Sequence, residues 1–176
     1  MPTIGVSIAV PPPYGEELQR CRRELGDPMA DAIPSHVTLL PPTEVAEDEL
    51  AAVREHLAKV ASTWRPFTMV LRGTGTFRPV SPVVFVQVAG GIADCEQLQL
   101  AVRQGPVDRE LRFPYHPHVT VAHDVPEAAM DRAFDQLSDY RCSFRVAAFD
   151  LYQHGADLVW RSVATFPFGD EGTSKG

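Results

Sequence analysis

A short motif, His-Val-Thr followed by an aliphatic residue, occurs twice in this chain of 176 residues. The copies are His36–Leu39 and His118–Val121, so that each half of the chain contains one. Valine and threonine favour strands, in which alternate side chains share a face. Each motif therefore predicts a strand with its histidine and threonine on one face and its aliphatic residues on the other. Because the two strands have the same pattern, we expect them to occupy equivalent positions in the fold.

The segments around the two motifs follow the same order. Apolar periodicity predicts strand, helix, motif strand, helix and strand in each half, and one added strand at the end. Leu18 aligns with Leu98 and Phe67 aligns with Phe144, at separations close to that of the two motif histidines. The sequence therefore predicts an α+β fold of duplicated β-α-β-α-β units. Two lobes related in this way would place the two motifs on either side of a central cleft.

These repeats set the predicted boundaries. We expect one two-lobed domain over residues 1–168, built from repeats at about 1–80 and 81–168. The glycine-rich and polar residues 169–176 are predicted to be a disordered tail.

Local patterns refine the predicted strands and helices. Pro41 and Pro42 follow the first motif and are predicted to end its strand. A single strand is predicted over Phe144–Tyr152, before a turn at His154–Asp157 and a last strand. A helix is predicted from about Val45 to Ala61, with an acidic first turn.

Composition excludes several classes of protein. The net charge of −7 disfavours a protein that grips a long nucleic-acid duplex, because such proteins neutralise phosphates with basic side chains. No apolar run approaches the roughly 20 residues of a membrane span, and the N-terminus lacks the basic region of a signal peptide. Three cysteines without a CxxC pair fit a reducing compartment. We therefore expect a cytoplasmic protein with no membrane association.

The paired motifs suggest a particular chemistry. An imidazole titrates near neutral pH, so one histidine can accept a proton from a nucleophile while the other donates a proton to a leaving oxygen. A threonine hydroxyl on the same face can donate a hydrogen bond to a charged oxygen between them. Such a site suits a phosphodiester, and it predicts no metal and no other cofactor because acid and base are both present.

The motifs, their spacing and the duplication together resemble the two-histidine (2H) phosphoesterase superfamily, which includes the RNA 2′,5′-ligase and 2′,3′-cyclic phosphodiesterase proteins. The resemblance covers Thr3–Phe166, and Tyr115–Ala122 is especially similar to the second motif of the bacterial members. It implies a two-lobed α+β fold whose antiparallel strands form a barrel-like cleft. It also implies metal-independent hydrolysis of 2′,3′-cyclic or 2′,5′ phosphodiesters, sometimes reversed as ligation.

The resemblance also assigns site residues. By the family motif, the catalytic set is His36, Thr38, His118 and Thr120, with His36 as the acid and His118 as the base. The expected partner is a small nucleotide or an RNA end; the sequence gives no oligomeric state. Four further residues are candidates for substrate binding: Tyr115, His116 and His123, which flank the second motif, and Phe77, which follows a glycine-marked bend and could lie at the mouth of the cleft.

The sequence departs from the family pattern on both flanks. His123 stands where bacterial RNA-ligase members often have arginine, five residues after the motif histidine, and Leu40–Pro42 stands where they often read Phe-Leu-Gly. In an unbent strand His123 would lie on the face opposite His118 and Thr120, because it is an odd number of residues away. These departures concern the substrate more than the reaction.

Other interpretations of the same residues remain open. His116, His118 and His123 could form a metal site, and the pocket could bind an RNA end or nucleotide without catalysis. Tyr115 could pack rather than stack on a base. The arginines of the first helix, Arg20, Arg22 and Arg23, are most simply a solvated face.

Overall fold

Two four-stranded antiparallel sheets and four α-helices make up the part of the chain that the computed structural model describes, residues 1–169. The strands are β1 Thr3–Ala9, β2 His36–Glu44, β3 Phe67–Thr76, β4 Val83–Gly90, β5 His118–His123, β6 Arg141–Val146, β7 Ala148–His154 and β8 Trp160–Pro167. The helices are α1 Tyr14–Glu24, α2 Leu50–Thr63, α3 Ile92–Val102 and α4 Glu127–Gln136. Short 3₁₀ turns occupy Pro28–Asp31, Glu47–Glu49 and Gly105–Val107.

The order of elements confirms the predicted α+β fold. β-α-β-α-β occurs twice, as β1 to β3 and as β4 to β6, and two strands follow rather than one. The first sheet has the order β2-β1-β7-β8 and the second has the order β5-β4-β3-β6, with antiparallel pairing throughout. Each sheet thus contains strands from both halves of the chain. The division into repeats at 1–80 and 81–168 within one domain stays a prediction.

The motif strands are the edge strands β2 and β5, and these two edges lie next to each other. Along each of them the aliphatic residues point into one continuous apolar core, which also takes in the buried faces of the helices. In α2 that face contains Val53, Leu57 and Val60, as the sequence pattern predicts. The repeated unit therefore brings the two motifs to the same place in the molecule.

The prediction that Pro41 and Pro42 end the first motif strand is wrong. β2 continues through both prolines to Glu44, and Thr43 is paired with Ile4 of β1. Proline lacks an N–H, so it is tolerated in an edge strand where that group is not needed for a ladder hydrogen bond. Because β2 pairs on one side only, the prolines do not interrupt it.

The single strand predicted over Phe144–Tyr152 is also wrong. The segment forms β6 and β7, separated by one residue, Ala147. β6 pairs with β3 in the second sheet, whereas β7 pairs with β1 and β8 in the first. The chain changes sheets at Ala147, and this long-range pairing leaves no mark on the local β-propensity.

Two further predictions concern helix starts and the tail. The acidic turn Glu47–Glu49 is 3₁₀, and the α-helix begins after it at Leu50. Gly169 is held by a hydrogen bond from its N–H to the carbonyl of Trp64, 2.9 Å long; the rest of the predicted disordered tail, 170–176, lies outside the described residues. Within residues 1–169, no helix has both the length and the apolar character of a membrane span.

Candidate active site

The four motif side chains line one cavity between the two sheets. His36 and Thr38 come from β2, His118 and Thr120 from β5, and the cavity has a volume of about 820 Å³. Each histidine is the first residue of its strand, so the two rings lie at equivalent positions of the repeat. The structure thus brings together two motifs that lie in different halves of the sequence.

Each motif strand contains the same bulge. One extra residue stands opposite its partner strand, Leu39 in β2 and Val121 in β5. Two consecutive residues consequently point into the core, Leu39 with Leu40 and Val121 with Ala122, and all four are fully buried. A bulge of this kind reverses the alternation of side chains beyond it. His123 therefore returns to the face of the motif and lines the cavity, which corrects the expectation for an unbent strand.

The two histidines are tethered in the same way. Nδ1 of His36 lies 2.7 Å from the carbonyl oxygen of Pro34, and Nδ1 of His118 lies 2.6 Å from that of His116. Because a carbonyl can only accept, Nδ1 carries the proton in both rings. In the neutral form, Nε2 then holds the free lone pair, which makes it the atom that can take up or give a proton in the cavity.

The cavity favours the neutral form of both rings. The pKa of His36 is lowered to about 4, chiefly by burial and also by the charges of Arg22 and His118, against an opposing contribution from the hydrogen bond to the Pro34 carbonyl. Burial also lowers the pKa of His118, and nearby His116 adds to this effect. At neutral pH with no anion in the cavity, both motif histidines are therefore uncharged.

Aromatic side chains surround His118. The ring of Phe77 meets it edge-on, with centroids 5.0 Å apart and an interplanar angle of 89°. Phe85 lies 5.1 Å from the His118 centroid, and His116 lies 5.8 Å from it. Phe77 and His116, two of the predicted substrate-binding residues, line the cavity and pack around His118.

Tyr115, another predicted substrate-binding residue, has a different place. Its hydroxyl donates a 2.7 Å hydrogen bond to the carbonyl of Thr38, and burial raises the pKa of this hydroxyl. It is not among the described residues that line the cavity. Tyr115 thus links the segment before the second motif to the strand of the first, and its role in substrate binding stays a prediction.

Sequence reasoning missed a buried ion pair beside the cavity. Arg22 lines the cavity, and its Nε donates to Asp27 across 2.7 Å, with only 5% of the Arg22 side chain and none of the Asp27 side chain exposed. The prediction of a solvated face on α1 is therefore wrong for this residue. The signal was present, because Arg22 lies four residues after Leu18 and three before Leu25, on the stripe that the helix buries.

A comparison with protein families shows which family this chain belongs to. The family model described as the 2′-5′ RNA ligase superfamily matches residues 10–158. The chain belongs to this superfamily. The resemblance to the 2H phosphoesterases is thereby confirmed, and the chain is a phosphoesterase of that type.

Relatives of this superfamily member have names that class them as phosphoesterases. One from Oceanobacillus iheyensis is 29% identical over 84% of this chain and 87% of its own length. Another from Halalkalibacterium halodurans is 30% identical over 77% of this chain and 74% of its own length.

Solved structures share the fold of this superfamily member. Escherichia coli LigT in complex with 3′-AMP has a TM-score of 0.70 at 22% identity, with 96% of this chain and 98% of LigT covered. LigT has also been solved with NADP⁺, at a TM-score of 0.68 and 21% identity over 96% of this chain and 99% of LigT. At these identities the likeness establishes the two-sheet α+β architecture.

The alternative of a metal site has no support in the donor set of this superfamily member. Over the described range 1–169, no three or more histidine, cysteine, aspartate or glutamate side chains converge in a way that could hold a metal ion. His123 instead lies beside Asp124, with Nε2 and Oδ2 3.6 Å apart. The cavity lining includes the two motif imidazoles, the two motif hydroxyls and the guanidinium of Arg22, a set suited to an anion and to proton transfer.

Proposed function

We propose that this protein is a metal-independent phosphodiesterase that hydrolyses 2′,3′-cyclic or 2′,5′-linked ribose phosphodiesters at nucleotide or RNA ends. The observation that carries the proposal is the pair of His-x-Thr faces lining one cavity, each with its histidine tethered through Nδ1. The 3′-AMP and NADP⁺ complexes of LigT, a protein of the same fold, support a small nucleotide as the occupant. A cytoplasmic location, drawn from cysteine usage, belongs to the same proposal.

In the proposed reaction, one Nε2 takes a proton from water as the water oxygen attacks phosphorus. The bond from phosphorus to the ribose oxygen breaks, and the other Nε2 gives that oxygen a proton, which leaves a phosphomonoester and a free hydroxyl. Thr38 and Thr120 donate hydrogen bonds to the non-bridging oxygens. Each proton transfer contributes ~10²–10⁴-fold to the rate. Ligation uses the same groups with a 5′ hydroxyl in place of water: that oxygen loses its proton to the base and attacks the phosphorus of a 2′,3′-cyclic phosphate, the bond to the 3′ oxygen breaks and that oxygen takes a proton from the acid, which leaves a 2′,5′ phosphodiester.

The surroundings of the two rings assign their roles in this proposal. Arg22 disfavours a second positive charge on His36, whereas it is not among the causes of the lowered pKa of His118. His36 is then the base and His118 the acid, the reverse of the order expected from the sequence. A bound phosphodiester anion favours protonated imidazole, so substrate binding promotes the protonation that His118 needs.

The test is turnover of a 2′,3′-cyclic nucleotide in the presence of EDTA. We expect wild-type protein to form a single phosphomonoester, and His36→Ala and His118→Ala each to lose activity by about 100-fold or more. His56→Gln is the matched control, because His56 lies outside the cavity and its Nε2 contacts the carbonyls of Ala101 and Val102. Binding without turnover, or full activity in both alanine variants, would overturn the proposal, and the first result would favour a nucleotide-binding module.

A further inference from the structure

The guanidinium of Arg22 is buried in the cavity wall with most of its donors unused. Nε donates to Asp27, but among residues 1–169 neither η nitrogen has a hydrogen-bond partner. Neither is sealed from solvent, because no fully buried side-chain nitrogen or oxygen in the described residues lacks a partner. With 5% of the side chain exposed and Arg22 in the cavity lining, the η groups reach solvent at the cavity. The η N–H groups are therefore donors, held in a wall that is otherwise buried, that a ligand in the cavity can reach.

Asp27 fixes the direction of this guanidinium. Its Oδ2 accepts from Nε of Arg22 and from the backbone N–H of His123, 3.0 Å away, while Oδ1 accepts from the N–H of Met29 at 2.8 Å. Three donors from separate segments thus hold the carboxylate in place. Because Asp27 engages Arg22 through Nε alone, the fork of η N–H groups stays free for an anion.

The duplicated unit indicates that the fold itself does not require this ion pair. The alignment of Leu18 with Leu98 places Arg22 opposite Val102, which is fully buried in α3. The same alignment places Asp27 opposite Val107, which is 2% exposed. One half of the molecule fills these two positions with aliphatic side chains and the other with a buried ion pair, so the charges serve something other than helix packing.

A difference between the two motif strands partly explains why a carboxylate is buried at position 27. His123 lies five residues after His118, and the residue five after His36 is Pro41. The bulge in β5 leaves the N–H of His123 in need of an acceptor, which Asp27 supplies, whereas Pro41 has no N–H. This explains a buried acceptor at position 27 but not a buried cation at position 22.

We propose that Arg22 binds a non-bridging oxygen of the phosphodiester through its η N–H groups, on the His36 side of the cavity. This assignment rests on the proposed function and adds a binding residue from outside the two motifs. Arg22 lies close enough to His36 for its charge to act on that ring. A phosphate placed between them accepts from the guanidinium, and its negative charge offsets the unfavourable pairing of Arg22 with a protonated imidazole.

Inorganic phosphate is the probe that separates this inference from the proposed reaction, because its binding needs no turnover. By calorimetry at neutral pH, we expect Arg22→Met to weaken phosphate binding on the order of 10- to 100-fold, the effect of losing hydrogen bonds to a charged group. Arg22→Lys keeps the charge but not the fork, so a smaller loss is expected. The matched control is Arg23→Met on the same helix, since Arg23 is exposed and pairs with Asp31 at the surface; its phosphate affinity should be unchanged.

Turnover gives the second measurement. Arg22→Met is expected to raise KM for a cyclic nucleotide by a similar factor. Unchanged phosphate affinity and KM in folded Arg22→Met would overturn the inference and leave the proposed function standing. A wild-type protein that binds phosphate but turns over no cyclic nucleotide would instead overturn the proposed function.

Arg22→Met leaves Asp27 buried without its cation, which can unfold the protein. The double variant Arg22→Met/Asp27→Asn removes both charges and keeps an amide oxygen for a backbone N–H. The double variant, checked for folding by its thermal transition, should show the same loss of phosphate affinity. Asp27→Asn alone retains the guanidinium and should lose less; equal phosphate affinity in Asp27→Asn and the double variant would overturn the role of Arg22.

Discussion

His36 and His118 occupy equivalent positions in the two halves of the molecule but have different neighbours. Both begin an edge strand, both precede an identical bulge, and both are tethered through Nδ1 to the carbonyl two residues before them. His36 has the charged Arg22 nearby, whereas His118 lies against the rings of Phe77 and Phe85. The duplication thus supplies two copies of one scaffold, and the surroundings make the copies unequal.

This difference matters because acid–base catalysis needs two groups in opposite protonation states. Two histidines in identical surroundings would have the same pKa. Burial is the largest cause of the lowered pKa of both rings, but the nearby charges differ, since Arg22 and His118 act on His36 whereas His116 acts on His118. The repeat therefore sets the geometry of the site, and the differences between its two halves assign one histidine as the acid and the other as the base.

The largest expected effect tests directly which histidine is the acid and which is the base. With an aryl phosphodiester such as bis(4-nitrophenyl) phosphate, the leaving phenolate needs little protonation. We expect His118→Ala to lose about 100-fold or more on a cyclic nucleotide but under about 10-fold on the aryl ester. His36→Ala should lose on the order of 100-fold on both substrates, because water must be deprotonated in either case. The opposite pattern in initial rates would reverse the assigned roles of acid and base.

The pH dependence of kcat/KM gives an intermediate effect. The base must be unprotonated, and the pKa of His36 is lowered to about 4, so activity should rise as the pH increases through that value. The acid must be protonated, and the pKa of His118 is lowered from 6.5, so activity should fall as the pH rises through that lowered value. We expect a bell-shaped profile with its maximum between pH 4 and 6.5, measured on a cyclic nucleotide over pH 3.5–8. An acidic limb at or above pH 6.5 would contradict the assigned surroundings of His36.

The smallest expected effect comes from a change confined to the aromatic side chains around His118. A Cβ added at Gly75 would lie 2.6 Å from ring carbons of Phe85, so Gly75→Ala must displace the ring that packs on His118. We expect a loss of about 1–3 kcal/mol in the free energy of unfolding by urea, the usual cost of overpacking. In the other sheet, a Cβ at Gly5 would meet the carbonyl of Leu40 at 3.4 Å, an ordinary contact.

Gly5→Ala is therefore the matched control, with an expected change within about 0.5 kcal/mol. In Gly75→Ala, the basic limb of the pH profile, assigned to His118, should also move, while the acidic limb of His36 stays in place. Equal destabilisation in the two glycine variants would show that the ring contact of Phe85 is not what constrains position 75.

Local sequence predicted the elements but not the partners of several strands. The repeated order of strands and helices follows from apolar periodicity, which depends only on nearby residues. The break at Ala147 and the passage of β2 through Pro41 depend instead on which sheet and which edge a strand joins. Strand pairing is long-range, so the one-residue change of sheet and the edge position were both invisible in the sequence pattern.

The candidate site divides in a similar way. His36, Thr38, His118 and Thr120 could be chosen from the sequence because the motif occurs twice at matched points of a repeat. Arg22 was missed although its spacing from Leu18 and Leu25 places it on the buried stripe, because a charged residue on a helix is usually solvated and the packing of α1 beside β5 removes this one from water. Tyr115 was a candidate by proximity to the motif, yet its hydroxyl bonds to Thr38 rather than reaching the cavity.

By itself, the sequence determined the duplicated α+β order, the two His-x-Thr faces and the superfamily. Each of these follows from short-range patterns, the apolar periodicity and the motif, that occur in both halves of the chain. Only the tertiary structure decided that the edges β2 and β5 meet, that a bulge turns His123 back to the cavity, and that Asp27 holds Arg22 beside His36. The physical reason is that register, burial and electrostatic environment depend on residues far apart in the chain, which no local pattern specifies.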